Sequence, residues 1–251
     1  MATVQSGYGT CVYFDDFLGA EIPLANNVAY GTTAGGCNYY INGLKLIGDL
    51  AETDTGAVAL AKANGFIQLS GNNEDGKGAA LASETVFSPV LNGPLVFETR
   101  LERAAVTAGV VFAGFCNTAA DDVAEPMTST TITITPVATH YAGFLLDSQF
   151  TATAEWHMPH KGGTATAVTV STDCDSGVTA VAASCNVLRL EVDSNGTCRW
   201  YIDGVLKQTV EDAVSTTTLQ AAMVGCWGTT TTAATVDVDY IAIEYNRDWT
   251  V

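Results

Sequence analysis

The segment 187–210, VLRLEVDSNGTCRWYIDGVLKQTV, restricts the fold more than any other part of the chain. Apolar and charged residues alternate up to Asp193, and the alternation resumes at Arg199. A period of two is typical of a β-strand with one buried face. Residues 194–196 (SNG) and 203–204 (DG) supply Asn, Asp and Gly, which tolerate the positive φ of tight turns. The segment therefore predicts a three-stranded antiparallel meander.

The acidic residues of this segment admit two interpretations. Glu191, Asp193 and Asp203 are candidates for catalytic or metal-binding carboxylates. Alternatively, they lie at turns or on the solvated face of alternating strands, where a carboxylate only has to face water. The alternation around them favours the second interpretation.

Five more runs have the composition of strands, because β-branched and aromatic residues are frequent in them and Gly, Asn or Asp separates them. They are 66–70 (FIQLS), 94–103 (PLVFETRLER), 109–117 (GVVFAGFCN), 141–148 (YAGFLLDS) and 236–246 (VDVDYIAIEYN). A helix is suggested only by 57–65 (AVALAKANG), which is short and equally compatible with a strand or a turn. The pattern predicts a two-layer all-β domain.

Three of these runs also predict how their strands are covered. In 94–103 one face carries Leu95, Phe97, Thr99 and Leu101, and the other face is mostly charged. Residues 109–117 carry large apolar side chains on both faces, which predicts a central strand covered on both sides. In 236–246 strict alternation places Val236, Val238, Tyr240, Ala242 and Glu244 opposite Asp237, Asp239, Ile241, Ile243 and Tyr245.

The chain is long enough for one large all-β domain. It has 251 residues, of which 47% are hydrophobic and only 15% charged, so a substantial core can be buried. No charged linker or proline-rich hinge divides the sequence. We therefore predict a single sandwich domain over residues 13–251, preceded by an extended N-terminal arm over residues 1–12.

The charge balance argues against two classes of partner. Lys and Arg number 10 against 27 Asp and Glu, giving a net charge of −17, so we expect the chain to repel the phosphates of nucleic acid. The first residues lack the basic and apolar regions of a signal peptide. No run approaches the roughly 18 apolar residues of a membrane span. We expect neither a nucleic-acid partner nor a membrane partner.

The seven cysteines are spaced widely and irregularly. They are Cys11, Cys37, Cys116, Cys174, Cys185, Cys198 and Cys226. An odd number without a Cys-x-x-Cys pair is not typical of a disulfide framework or of a zinc ribbon. We expect most of them to be free thiols that serve as small apolar residues in strands.

Two pairs of carboxylates have the spacing that a sandwich glycosidase could use. Such an enzyme needs two acids roughly 5 Å apart, often projected from one strand. The candidates are Glu98 with Glu102 and Asp237 with Asp239. The first pair flanks Arg100, which is the pattern of a surface charge ladder, and the second pair opens the closing strand. We therefore predict no catalytic residue.

Two further groups could bind a metal. The histidines of the HMPH motif, His157 and His160, precede Cys174 and Cys185, but their spacing matches no established zinc pattern, and His140 stands apart. The loop 71–78, GNNEDGKG, collects oxygen ligands as a calcium site does, yet it departs from the helix-loop-helix pattern and is typical of a turn. We predict no metal ion and no cofactor.

Carbohydrate binding would need an exposed aromatic platform. The candidates are Trp156, the neighbours Tyr39 and Tyr40, and Trp227. Core packing or a subunit contact explains each of them equally well.

Four pieces in this order resemble the concanavalin A-like jelly-roll family, which includes laminin G-like domains. They are YFDDFLG (13–19), the strands 94–103 and 109–117, the meander 187–210 and the terminal strand 236–246. The resemblance implies an antiparallel β-sandwich in which the first and last strands lie side by side. Laminarinase-type glycosidases of this family carry a Glu-x-Asp-x-x-Glu strand, whereas 141–148 offers Asp147 alone. This departure argues against hydrolysis.

The chain also resembles virion proteins of tailed phages, especially of marine phages, with their DDF, VFxGF, GFLxD and DVDYI strands. The resemblance implies a structural part of the particle, assembled in the bacterial cytoplasm. We expect a capsid decoration or cement protein that binds the major capsid protein or another virion protein and forms a homo-oligomer, with a trimer favoured. Its predicted anchor is the arm, where Cys11, Val12 and Tyr13 follow a flexible start. The alternatives are a glycan-binding module of a tail fibre and a polysaccharide hydrolase or lyase.

Overall fold

The computed structural model describes residues 3–6, 9–18, 40–48, 55–60, 62–119, 125–152, 154–230 and 232–247. Within these ranges almost all regular structure is β-strand. One helical turn, α1 (Pro89–Asn92), and one 3-10 turn at Ser171–Asp173 are the helical elements of the described residues. No helix in these ranges is long and apolar enough to cross a bilayer.

Twenty strands are defined within the described residues. In chain order they are β1 (Thr3–Ser6), β2 (Thr10–Asp15), β3 (Tyr40–Ile41), β4 (Leu44–Gly48), β5 (Gly56–Leu60), β6 (Phe66–Gly71), β7 (Gly78–Ala82), β8 (Leu95–Glu102), β9 (Val110–Cys116), β10 (Met127–Thr130), β11 (Thr133–Pro136), β12 (Tyr141–Asp147), β13 (Glu155–His157), β14 (His160–Lys161), β15 (Asp175–Thr179), β16 (Cys185–Val192), β17 (Cys198–Ile202), β18 (Val205–Val210), β19 (Ala221–Trp227) and β20 (Ala234–Asn246). The five runs and the meander all form strands, as the sequence predicted. The helix candidate 57–65 instead begins with β5.

Two antiparallel sheets pack face to face. Sheet A has the order β1-β2-β20-β8-β16-β17-β18, with β6 pairing β20 and β5 pairing β6. Sheet B has the order β15-β13-β12-β9-β19-β7-β4-β3, with β14 pairing β12. The first strands and the last strand are neighbours in sheet A, as the resemblance implied. The all-β antiparallel sandwich predicted from the sequence is confirmed.

The three-stranded antiparallel meander β16-β17-β18 forms as predicted. Leu188 lies opposite Ile202 and Leu190 opposite Trp200, and all four side chains are buried against sheet B. The second turn uses Asp203 at φ 52° and Gly204 at φ 76°, the positive values that its sequence predicted. The apolar alternation therefore fixes which face of the meander is core.

Strand β20 contains a β-bulge that the sequence analysis did not predict. Val238 pairs with Leu101 and Tyr240 with Arg100, so that Asp239 is the extra residue. Because a bulge shifts the alternation by one residue, Val236, Val238, Ile241 and Ile243 all face the core. The predicted strict alternation along 236–246 is wrong for this reason. The hydroxyl of Thr99 donates a 2.7 Å hydrogen bond to the Tyr240 carbonyl oxygen beside the bulge.

The predicted N-terminal arm, residues 1–12, includes β1 and the first half of β2. Strand β1 pairs with β2, and β2 pairs with β20 from Thr10 to Asp15. Cys11 is buried, and Tyr13 packs against the core and donates to the Asn42 carbonyl oxygen. The described residues of this segment, 3–6 and 9–12, therefore belong to the edge of sheet A, where they are already paired with neighbouring strands.

The cysteines that the structure describes are free thiols, and all of them except Cys185 are buried. Burial raises the pKa of the Cys116 thiol to about 11 and those of Cys174 and Cys226 to about 12. A thiol with such a pKa stays protonated near neutral pH and reacts slowly. These cysteines act as small apolar core residues, as expected.

Candidate functional site

The outer face of sheet B, which points away from sheet A, is closed by the chain itself. Strands β10 and β11 form a two-stranded ribbon, here called the cover hairpin, in the connection between β9 and β12. It buries Met127 and Ile134 in a second apolar cluster on this face. Other members of the cluster are Ile47, Val110, Phe112, Tyr141, Leu145, Phe150, Val168, Met223 and Trp227. Every residue of β9, β12 and β19 is buried as a result.

A group of polar side chains lies beneath the cover hairpin at the end of β12. Asp147, which is 1% exposed, accepts hydrogen bonds from the Ser129 hydroxyl of β10 and from the Gln149 backbone N–H, the latter at 2.8 Å. Glu125, which is 3% exposed, precedes β10 and has one carboxylate oxygen, Oε2, without a hydrogen-bond partner. The Gln149 amide reaches Asp75 of the loop 71–78 at 3.4 Å. We call Asp75, Glu125, Ser129, Asp147 and Gln149 the acidic cluster.

Both buried carboxyls of the acidic cluster have shifted protonation equilibria. Burial raises the pKa of Glu125 to about 8, and the nearby charges of Asp147 and Asp75 add to the rise. Burial also raises the pKa of Asp147 to about 6, although the Gln149 N–H and the Arg103 guanidinium oppose the shift. Removing a carboxylate from water disfavours its charged form, which explains the direction of both shifts.

Perturbed acids of this kind are frequent in active sites, so the acidic cluster is the first candidate for chemistry. A substrate would have to reach it, yet Glu125 and Asp147 are almost fully buried beneath the cover hairpin. The arrangement can hold and release protons and can tie the cover hairpin to β12 through the Ser129 hydrogen bond. Sequence analysis named Asp147 but missed Glu125, because nothing in its neighbours in the sequence indicates burial.

The carboxylate pairs that the sequence singled out lie on the outer face of sheet A, each in an ion pair. Glu98 accepts from Arg189 at 3.2 Å and from the Tyr240 hydroxyl at 2.7 Å. Glu102 lies 3.0 Å from the Lys62 amine. Arg100, which suggested a charge ladder with these two acids, pairs instead with Asp239, so the cations of Glu98 and Glu102 come from other parts of the chain.

The second pair is held in the same way. Asp237 contacts Lys62 at 2.5 Å and Gln68 at 2.7 Å, and Asp239 contacts Arg100 at 2.5 Å. The bulge separates the two acids, since Asp239 is the extra residue of β20. Asp237 shares Lys62 with Glu102, whereas Asp239 pairs with Arg100, so the two acids of this pair do not converge on one point.

The acids of the meander are likewise bound to neighbouring residues. Arg199 holds Asp193 with two hydrogen bonds, at 2.9 and 2.7 Å, and Glu191 accepts from Arg189 at 2.9 Å. Asp203 accepts from the Val187 backbone N–H and the Asn186 amide, both at 2.8 Å. These contacts stabilise strands and turns.

The predicted histidine and cysteine candidates do not come together. The His157 ring packs 4.7 Å from that of Phe150, with its Nε2 3.0 Å from Asp175, whereas His160 faces the Trp200 ring at 5.9 Å. Burial lowers the pKa of both histidines. In the ranges that the structure describes, no three His, Cys, Asp or Glu side chains are arranged to hold a metal ion.

The loop 71–78 forms a turn between the two sheets. The Asn72 side-chain oxygen accepts from the Glu74 N–H at 3.0 Å, and the Gly76 N–H donates to the Gly228 carbonyl at 3.2 Å. The Asn72 side chain is thereby used to form the turn.

Two of the proposed aromatic platforms are core residues. Trp156 is 1% exposed and Trp227 is fully buried, so neither can stack on a ligand. Tyr40 is 51% exposed and lies at the edge of sheet B. Tyr39 falls outside the described residues. The residues next to each tryptophan in the sequence did not predict whether its side chain would be buried or exposed.

Comparisons with known proteins agree on the fold. A protein of unknown function from Shewanella oneidensis MR-1 superposes with a TM-score of 0.60 at 11% identity, over 99% of this chain and 92% of that one. The β-glucanase of Bacillus licheniformis gives 0.50 at 14% identity, over 97% and 100%. A structure of endo-acting O-glycanases from the human gut microbiota gives 0.51 at 10% identity, over 92% and 97%.

No protein-family model matches the sequence, and no curated protein matches it. At these identities the structural likeness concerns the fold alone. The order of the strands and the similarity to the glucanase show that this chain has the concanavalin A-like β-sandwich fold.

Proposed function

We propose that this protein is a structural component of a tailed-phage virion that decorates or cements the exterior of the capsid. One observation carries the proposal: the cover hairpin and its apolar cluster fill the outer face of sheet B, where an open sandwich would offer a cleft. A sandwich packed on both faces of one sheet suits a mechanical role. The sequence resemblance to phage virion proteins supplies the particle context.

Our proposal assigns no catalytic role to the chain. The central strands β9 and β12 present mainly Val110, Phe112, Tyr141 and Leu145 to the outer face of sheet B, and these side chains are buried. Glycosidase chemistry requires two carboxyls on either side of a bound sugar. Glu125 and Asp147 have shifted pKa values but lie under the cover hairpin, where a polysaccharide could not reach them. Their burial favours a structural role over hydrolase or lyase activity.

An uncharged surface supports assembly with other subunits. Val86, Val90, Leu91 and Leu219 are each about half exposed, at 52%, 52%, 49% and 47%. They lie together because the Val86 N–H bonds to the Gln220 carbonyl and the Val90 N–H to the Thr216 carbonyl. The segments 85–94 and 214–220 carry no charged residue. On a chain of net charge −17, such a patch is where copies meet with least repulsion.

This patch, defined by Val86, Val90, Leu91 and Leu219, replaces the N-terminal residues as the proposed contact surface. It suits a homo-oligomer, with a trimer favoured, that sits on the major capsid protein. Many copies acting together would bind a head tightly even if each contact is small.

The proposal is tested on heads of the phage that encodes the chain, prepared without it. Wild-type protein is expected to bind saturably in a co-sedimentation assay. Leu219→Asp, which places a charge in the patch, should weaken binding by about tenfold or more. Val181→Asp is the matched control, because Val181 is 63% exposed in the loop after β15 and should bind as wild type.

Two results would refute the proposal. One is the absence of saturable binding by the wild-type chain. The other is the absence of the chain from purified virions by mass spectrometry.

A further inference from the structure

The outer face of sheet A carries a row of side chains that crosses six neighbouring strands. Cross-strand pairing connects Phe14 of β2 to Ala242 of β20, Ala242 to Glu98 of β8, and Glu98 to Arg189 of β16. The row continues from Arg189 to Tyr201 of β17 and from Tyr201 to Leu206 of β18. Five strand spacings make the row about 24 Å long. We call Phe14, Ala242, Glu98, Arg189, Tyr201 and Leu206 the cross-strand row.

The row has apolar or aromatic groups toward its ends. Phe14 is 36% exposed and packs against the Tyr240 ring, with centroids 5.6 Å apart. Leu206 is 49% exposed and lies beside the partly exposed Tyr201. Ala242, the cross-strand neighbour of Phe14, contributes only a methyl group to the row. The row thus offers two aromatic surfaces, here called the aromatic stations: the Phe14 and Tyr240 rings toward one end and the Tyr201 ring toward the other. Polar side chains lie between them.

A hydrogen-bond network holds the aromatic stations in place. The Tyr240 hydroxyl donates to Glu98 at 2.7 Å, and Arg189 donates to Glu98 at 3.2 Å and to Glu191 at 2.9 Å. The Tyr201 hydroxyl donates to the other oxygen of Glu191 at 3.3 Å. Both tyrosine rings are therefore fixed before any ligand arrives, which lowers the entropy cost of binding.

Each arginine near the row is held by one or two carboxylates. Arg189 pairs with Glu98 and Glu191, Arg199 with Asp193, and Arg100 with Asp239. The face therefore offers fixed hydrogen-bond donors and acceptors, and its middle section carries a net negative charge because Arg189 is shared by two carboxylates. These arginines are already engaged, so an anionic polymer would gain few free cations here, and it is repelled by a chain of net charge −17.

From this arrangement we propose that the cross-strand row binds a neutral polysaccharide chain lying across the strands of sheet A. Sugar rings offer C–H faces to the aromatic stations and hydroxyls to the paired charges between them. A protein partner would have to bury the ion pairs of the middle section, which costs desolvation that a hydrated glycan avoids. The inference goes beyond capsid decoration, because it gives the outer face of sheet A a glycan ligand that is not part of the capsid.

The test measures binding of the purified full-length chain to immobilised neutral glycans, namely laminarin, mixed-linkage β-glucan, mannan and dextran, with alginate and heparin as anionic probes. We expect saturable binding to at least one neutral glycan and none to the anionic pair. Phe14→Ala and Tyr201→Ala should each weaken it by about tenfold. Tyr201→Phe keeps the ring and should retain most of the affinity.

The matched control is Tyr40→Ala, which removes a more exposed aromatic ring from sheet B, at 51% against 36% for Phe14, and should bind as wild type. Thermal unfolding of each variant shows whether a loss of binding reflects a loss of fold. The inference is overturned if the wild-type chain binds no neutral glycan, if it prefers the anionic ones, or if folded Phe14→Ala and Tyr201→Ala bind normally. None of these outcomes bears on the head-binding assay, so the two proposals fail separately.

Discussion

The Trp200 indole nitrogen, Nε1, donates a 2.9 Å hydrogen bond to the Gly143 carbonyl oxygen, and this bond links sheet A to sheet B through the core. Both groups are buried, so neither can turn to water if its partner is lost. Trp156 makes a second link, from β13 of sheet B to the Asn186 side chain of β16 at 3.1 Å. Two indoles therefore pin the layers together at specific points within an otherwise apolar interface.

Trp200→Phe should lower the free energy of unfolding by about 1 to 3 kcal/mol, because the Gly143 carbonyl is left without its buried donor. Urea denaturation followed by fluorescence measures the change. Tyr40→Phe, at a half-exposed aromatic position, serves as the control and should leave the midpoint unchanged. Equal midpoints for wild type and Trp200→Phe would mean that the inter-sheet bond contributes nothing.

Ile134→Ala should destabilise the protein by about 2 to 5 kcal/mol, since Ile134 fills the apolar cluster under the cover hairpin. Ile132→Ala is a close control two residues away, because Ile132 is 44% exposed and its loss should cost little. Thermal unfolding with a hydrophobic dye reports both stability and exposure of the cluster. Similar behaviour of the two variants would show that the hairpin does not seal this face.

Stability should fall as pH rises through the pKa of Glu125, about 8, because the folded protein keeps a proton that the unfolded chain releases at lower pH. The stabilising contribution is complete below the ordinary glutamate pKa and is lost above the folded value. Glu125→Gln mimics the protonated form, so its unfolding temperature should decline less between about pH 5 and about pH 9. Glu84→Gln, at an exposed glutamate, is expected to follow the wild type. An unchanged pH profile for Glu125→Gln would contradict the assignment.

Deleting Asp239 should unfold the protein or lower its stability by several kcal/mol. Without the extra residue, either Val236 and Val238 or Ile241 and Ile243 must turn outward. Asp239→Ala keeps the bulge and removes only the ion pair between the buried Asp239 carboxylate and the partly exposed Arg100, so its cost should stay at about 1 to 3 kcal/mol. Soluble yield and the denaturation midpoint distinguish the two variants. A deletion variant as stable as wild type would show that β20 can slip in register.

The parts of the fold that sequence analysis predicted are those set by local pattern. Asp203 and Gly204 adopt the positive φ that their types favour, and Leu188, Leu190 and Trp200 share one face because their alternation is unbroken. The bulge at Asp239 is also present in the sequence, since the valine pair and the isoleucine pair are out of phase. The bulge can be recognised only once it is known that both pairs face the core between the two sheets.

The environment of single side chains depends on contacts distant in sequence. Glu125 is buried close to Asp147 and Asp75, which are distant in the sequence, and no residue next to it in the chain indicates its burial. Trp156, Trp227 and Tyr201 are all aromatic residues of strands, and residue type does not distinguish their environments. Packing buries the two tryptophans and leaves Tyr201 partly exposed. The cross-strand row combines residues from six strands, and only the register of sheet A brings them into line.

The cover hairpin lies within one connection, between Cys116 and Tyr141, and the two strands that it joins already pair with each other. A deletion that replaced this connection with a short turn would leave the order of the strands intact while removing Met127 and Ile134 from the outer face of sheet B. How far this face is covered can therefore change through one connection without rebuilding the core between the sheets.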